Sequence, residues 1–186
     1  RLRPTGNAGP LVTKIKSFED YQFSNAWLWE HMALTRGRVL AGGENLSNQI
    51  YALQKKVFQM PRDSDESRHN IVDMKKRLEA HHIKKGDAKW DIKHAPGGLV
   101  DIEFIVQVTV LRYSSIHKCF SKNIGNINLL YLFAEKKILP MSLTKKVAKI
   151  YASYRSEQHK LRLKGISSVR VKQEIFAEEK KYVNKL

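Results

Sequence analysis

Asp101 and Glu103 stand two apart behind a glycine pair, in Pro96-Gly97-Gly98-Leu99-Val100-Asp101-Ile102-Glu103-Phe104. On a strand both carboxylates would share one face and could hold Mg²⁺ together. On a helix they lie roughly 200° apart, and become first-turn acids that favour the helix N-terminus. The long apolar continuation from Leu99 to Tyr113 favours the helix, so one carboxylate at most faces a given cleft. A second stretch, Arg1-Leu2-Arg3-Pro4-Thr5-Gly6-Asn7-Ala8-Gly9-Pro10, combines two guanidinium groups with a glycine-containing loop. That combination suits a phosphate, through charge and close backbone N–H approach. It also suits a plain turn. A third stretch, Ala26-Trp27-Leu28-Trp29-Glu30-His31, is either a ligand site or a helix at a domain junction. In the second reading Glu30 pairs with Arg36 or Arg38. The histidines lack ligand spacing: His81 and His82 are adjacent, and no His-x-x-x-His pair occurs. No Ser/His/Asp arrangement, P-loop or dinucleotide fingerprint is present, and no metal-binding set is assigned.

Helices must position these residues. Pro10, Pro61, Pro96 and Pro140 bound stretches of helical length. Leu11–Ile15 fits a short strand. Ser17 is a candidate N-cap for a helix from Phe18 to about Leu40, broken near Ser24-Asn25 and stopped by Gly42-Gly43. Leu46, Ile50, Leu53, Val57 and Met60 mark one helix face, and Ile71, Met74, Leu78 and His82 another. Gly86 to Gly98 reads as loop with an extended piece at Trp90-Asp91-Ile92. Leu99–Tyr113 is too long for an ordinary strand. Ile127–Ile138, Leu143–Leu163 (with Ser142 as a cap) and Val171–Val183 complete the set. The expected fold is all-α: a bundle of six or seven helices with a short N-terminal strand or loop remnant.

The chain has 186 residues and a net charge of +16. The excess is +4 in residues 1–60, +2 in 61–120 and +10 in 121–186. Lysines outnumber arginines 23 to 11, and the lysines fall in pairs on helical patterns. Base readout favours Arg, so a solvated lysine surface or a docking face for an acidic partner is expected rather than nucleic-acid binding. No apolar run has the ~20 residues a membrane span needs. Cys119 is the only cysteine, which points to a reducing cytoplasm. Residues 1–10 lack the apolar core of a signal peptide, and the chain begins at Arg1 without Met, as a fragment would.

Taken in order, these stretches resemble one family. Arg1-Leu2-Arg3-Pro4, Gly6 to Thr13, Tyr21-Gln22, Ala26-Trp27-x-Trp29-Glu30-His31, Arg36-x-Arg38-Val39, Gly97-Gly98-x-x-Asp101-Ile102-Glu103-Phe104 and Tyr154-Arg155-x-Glu157-x-His159 are similar to glutamine synthetase adenylyltransferase. The Gly-Gly-x-x-Asp segment is also similar to one in the PII uridylyltransferases. The resemblance implies that residues 1–24 are the C-terminal edge of a nucleotidyltransferase domain and 25–186 the helical domain after it. It implies an enzyme that transfers AMP from ATP to a tyrosine of glutamine synthetase, with Mg²⁺ and ATP as cofactors and glutamine synthetase and the PII signal protein as partners. The family's metal-binding carboxylates come from a Gly-Ser…Asp-x-Asp hairpin and a further Asp just before the first Arg of Arg-Leu-Arg-Pro. Neither is found in this sequence, so the isolated chain is expected to be inactive and to hold no cofactor alone. Arg1, Arg3, Gly6, Gly9, Lys93, Asp101 and Glu103 are then expected near the nucleotide or substrate. Trp29, Glu30, Arg36 and Arg38 are expected at a domain junction. The alternative is a non-catalytic helical module that docks glutamine synthetase or PII.

Overall fold

The computed structural model describes residues 4, 8–82, 89–166 and 169–186. Among them are eight α-helices and one two-stranded sheet. In chain order they are α1 (Ile15–Ser24), α2 (Leu28–Leu34), α3 (Glu44–Phe58), α4 (Ser64–His82), β1 (Lys89–Asp91), α5 (Leu99–Tyr113), a 3-10 turn (Lys118–Ser121), α6 (Asn126–Glu135), α7 (Met141–Leu163), β2 (Arg170–Lys172) and α8 (Ala177–Val183). The all-α expectation is met, with eight helices among the described residues where six or seven were expected. The chain divides into two compact units, Arg1–Val72 with Gln107–Asn123, and Asp73–Val106 with Ile124–Leu186.

In the first unit, α3 presents Leu53, Val57 and Phe58 to a core that also holds Met32, Leu34, Val110, Leu111 and Phe120. The 4-3 spacing read from the sequence is the cause: those positions fall on one stripe of the helix. In the second unit, Leu129, Leu130 and Phe133 of α6 are buried together with Val147, Ala148, Ile150 and Tyr154 of α7. β1 pairs antiparallel with β2 in the register Lys89–Lys172, Trp90–Val171, Asp91–Arg170. This ladder turns Trp90 inward, where its ring meets Tyr154 edge-on at 5.3 Å and Phe176 at 6.2 Å.

Five local expectations need correction. Leu11–Ile15 is not a strand: Leu11 and Val12 are exposed bends, and Ile15 already begins α1. A five-residue strand gains nothing without a ladder partner, and the described residues offer none there. Ser17 therefore lies inside α1, and Lys14 occupies the cap position without a side-chain bond. The second helix stops at Leu34, well before Leu40, because Thr35 Oγ1 donates back to Met32 O at 2.7 Å and the chain tightens into a turn. Ser142 lies in the first turn of α7 rather than at its cap, which is Pro140. Val171 belongs to β2, so the last helix is only α8. The period-two burial of Val169 and Val171 was the available signal.

Candidate functional site

The Gly-Gly-x-x-Asp segment lies in the second unit and joins β1 to α5. Asp91 Oδ1 accepts from the backbone N–H groups of Lys93 (2.8 Å) and His94 (3.0 Å), a side-chain turn that follows β1 at once. The chain then doubles back: Leu99 N–H donates to Ile92 O at 2.8 Å and Val100 N–H to Lys93 O at 3.1 Å. Both glycines are required by this tight return. Gly97 has φ +80°, and a Cβ there would stand 2.5 Å from Lys180 O. A Cβ on Gly98 would stand 2.5 Å from Ile92 O. The pair thus serves backbone packing, which needs no ligand to explain it.

Asp101 lies in the first turn of α5, where Oδ2 accepts from Gly97 N–H at 2.7 Å and from Lys75 Nζ of α4 at 3.0 Å. Glu103 is buried and points elsewhere, accepting from the Tyr151 hydroxyl of α7 at 3.1 Å. Asn126 Nδ2 donates to that same hydroxyl at 2.9 Å. Burial, then the charge of Glu103, raises the Tyr151 pKa and keeps the phenol protonated as the donor. The two carboxylates therefore have separate partners, as the helix reading requires. Lys93 is half-buried on the return loop. Among the described residues no group of three or more His, Cys, Asp or Glu could hold a metal ion.

The Trp29-Glu30 segment lies in the first unit and forms a second buried node. Glu30 accepts from the Tyr21 hydroxyl (2.9 and 3.1 Å) and from the Trp27 backbone N–H (2.9 Å). It thereby secures the start of α2 and ties α1 to it. These partners replace the Arg36 or Arg38 pairing expected from residue types, since a buried carboxylate at a helix start is satisfied first by local donors. Beside it His31 Nε2 meets Gln22 O at 2.9 Å, and Nδ1 meets Arg62 Nη2 at 3.2 Å. A carbonyl on one nitrogen and a guanidinium on the other fix the neutral tautomer with its proton on Nε2. Burial first, and Arg62 further, lower the His31 pKa. Arg62 itself is pushed down to about 10 by burial.

Arg62 was not singled out in the sequence. Its guanidinium caps α3, donating to Val57 O (2.6 Å), Phe58 O (3.2 Å) and Met60 O (2.9 Å). An Arg just past a helix end, after Pro61, was the signal that could have found it. Trp29 is 40% exposed and Trp27 65%, so the pair presents apolar surface at this node. Arg36 and Arg38 follow on the exposed turn after α2. Gly9 lies in a bend, and Arg1, Arg3 and Gly6 are outside the described residues.

A family model described as glutamate-ammonia ligase adenylyltransferase matches residues 1–53, and one described as GlnD PII-uridylyltransferase matches residues 66–168. A bifunctional glutamine synthetase adenylyltransferase/adenylyl-removing enzyme of Bordetella bronchiseptica is 39% identical over 92% of this chain and 18% of its own length. Counterparts from Burkholderia pseudomallei (38% identical, 98% of this chain, 20% of theirs) and Nitrosomonas europaea (40%, 89% and 18%) agree. The second of these models covers more than half of the chain, which therefore belongs to the family it describes, and along nearly all of its length the chain is similar to one stretch of the glutamine synthetase adenylyltransferases. It spans about a fifth of the length of the relatives it matches.

The two model matches divide the chain along its chemistry-bearing stretches. The adenylyltransferase model covers the Trp29-Glu30 node with Arg36 and Arg38, and Arg62 lies beyond it. The uridylyltransferase model covers the Gly-Gly-x-x-Asp return and Tyr151. The resemblance of that return to the second family, expected from its residues, is thus met by a match over the helical stretch.

Proposed function

We propose that this chain acts as part of a glutamine synthetase adenylyltransferase, supplying helical structure beside the site where AMP passes from ATP to a tyrosine hydroxyl of glutamine synthetase. The observation that supports this most is the 38% identity that runs through 98% of the chain, across both buried nodes. In this reading the chain works in the cytoplasm and positions groups rather than performing transfer. Arg1, Arg3, Gly6 and Gly9 would sit nearest the nucleotide, and Lys93 would serve near the substrate. Mg²⁺ and ATP belong to that reaction as a whole. The carboxylates described here do not suit the metal: Asp101 is occupied by Lys75 and Gly97 N–H, and Glu103 by Tyr151. The test is Asp101→Lys in the intact enzyme, with adenylylation of glutamine synthetase as readout. A clear loss of rate with the fold retained supports a positioning role for this return, and an unchanged rate overturns it.

A second reading, docking of glutamine synthetase or PII, draws on one feature of the second unit. α7 and α8 enclose a cleft of about 710 Å³ lined by Lys145, Lys146, Lys149, Lys181 and Lys185, with Glu178 and Glu179 on its border. Lys146 Nζ sits 3.8 Å over the Tyr182 ring. Capture of glutamine synthetase or PII by this chain at low salt, weakening as salt rises, would support docking through charge. Failure to capture either at low salt counts against it.

A further inference from the structure

A recess of about 640 Å³ in the first unit is lined by cations and by no carboxylate. Its four charges come from three segments: Arg38 after α2, Lys55 on α3, and Lys118 and Lys122 on and after the 3-10 turn. None of the four makes an ion pair or a side-chain hydrogen bond with a described residue. The lysine cleft of α7 and α8 differs, because two glutamates already lie on it. Four like charges around one hollow repel one another, so the arrangement costs free energy unless an anion offsets it.

The walls are held in place by bonds unrelated to those charges. Gln54, buried on α3, donates to Leu34 O (3.4 Å) and Gly37 O (3.2 Å). Asn123 donates to Arg36 O at 3.0 Å. The turn that carries Arg38 is thus fixed from two sides, and the hollow is preorganised. Ser121 Oγ is buried on the same wall with no hydrogen-bond partner, leaving a hydroxyl donor unused. Tyr51 adds an aromatic face at the rim, and Phe58 lies beneath.

We propose that this recess binds a small phosphorylated ligand that carries several negative charges. A single carboxylate is matched by one arginine fork, whereas one fork and three point charges match a polyphosphate. A neutral planar group on the same ligand would rest on Tyr51.

The test titrates tripolyphosphate into the 186-residue chain by calorimetry at low salt, with citrate as a polycarboxylate of similar charge. Saturable binding is expected, weaker for citrate. Lys55→Glu with Lys122→Glu is expected to weaken it about tenfold or more, by removing two attractive charges and adding two repulsive ones. Lys145→Glu with Lys149→Glu, in the other cleft, is expected to leave it within about twofold. These are exposed positions, and circular dichroism confirms the fold of each variant. If the reversed pair misfolds, Lys55→Gln with Lys122→Gln replaces it with the same expectation in direction. No saturable binding, equal loss in both double variants, or citrate binding as tightly would each overturn the proposal.

Discussion

His31 makes the first node sensitive to acid. Its imidazole is buried between a carbonyl and the Arg62 guanidinium, and its pKa lies below the ordinary value of 6.5. The unfolded chain takes up a proton near pH 6.5 that the folded chain resists, so stability is full above that pH and falls as pH drops below it. A melting temperature that declines from pH 7.5 to 5, with a shallower decline in His31→Gln, is the expected result. Arg62→Ala removes three hydrogen bonds to carbonyls at and just past the end of α3 and is expected to cost about 2–3 kcal/mol in urea unfolding. Tyr151→Phe leaves the Glu103 carboxylate without that donor, at about 1–3 kcal/mol by the same measurement. Residue types alone pointed to Glu30, His31, Asp101 and Glu103. They could not give Tyr151, Asn126 or Lys75, because those partners come from helices far along the chain and no local pattern marks them.

At the scale of elements, the return from β1 to α5 is the least tolerant part of the fold. Gly97→Ala is expected to destabilise by about 2–4 kcal/mol, since a methyl meets the Lys180 carbonyl and the backbone must hold a positive φ. Gly43→Ala, where a Cβ would meet nothing within 4 Å, is the matched control and should change stability by under about 0.5 kcal/mol. The long helices were legible because their apolar stripes persist for several turns; α5 was read to its end residues. The short elements were not. β2 is three residues that extend against β1, and the end of α2 is set by a tight turn in which the Thr35 hydroxyl joins several backbone bonds.

For the molecule as a whole, charge is the dominant feature. A net +16 with its largest share in residues 121–186 opposes compaction through self-repulsion. Added sodium chloride is expected to raise the melting temperature until screening is complete, and an unchanged value would mean that local pairs already balance the excess. No described helix is long and apolar enough to cross a membrane. The division into two units was not visible in the sequence, because two of its three boundaries fall inside α4 and α5, where helical periodicity runs on unbroken.

The β1–β2 ladder also sets an order of events during synthesis. Trp90 and Val171 are neighbours in space but roughly eighty residues apart in sequence, a long loop to close. As the chain leaves the ribosome, Trp90 emerges well before the strand and the Phe176 ring that will cover it. A nascent chain halted at residue 169 should therefore show an iodide-quenchable Trp90, and one carried on to include residues 170–186 should not. Until β2 and Phe176 arrive, the most aromatic part of this unit is the part most in need of a chaperone.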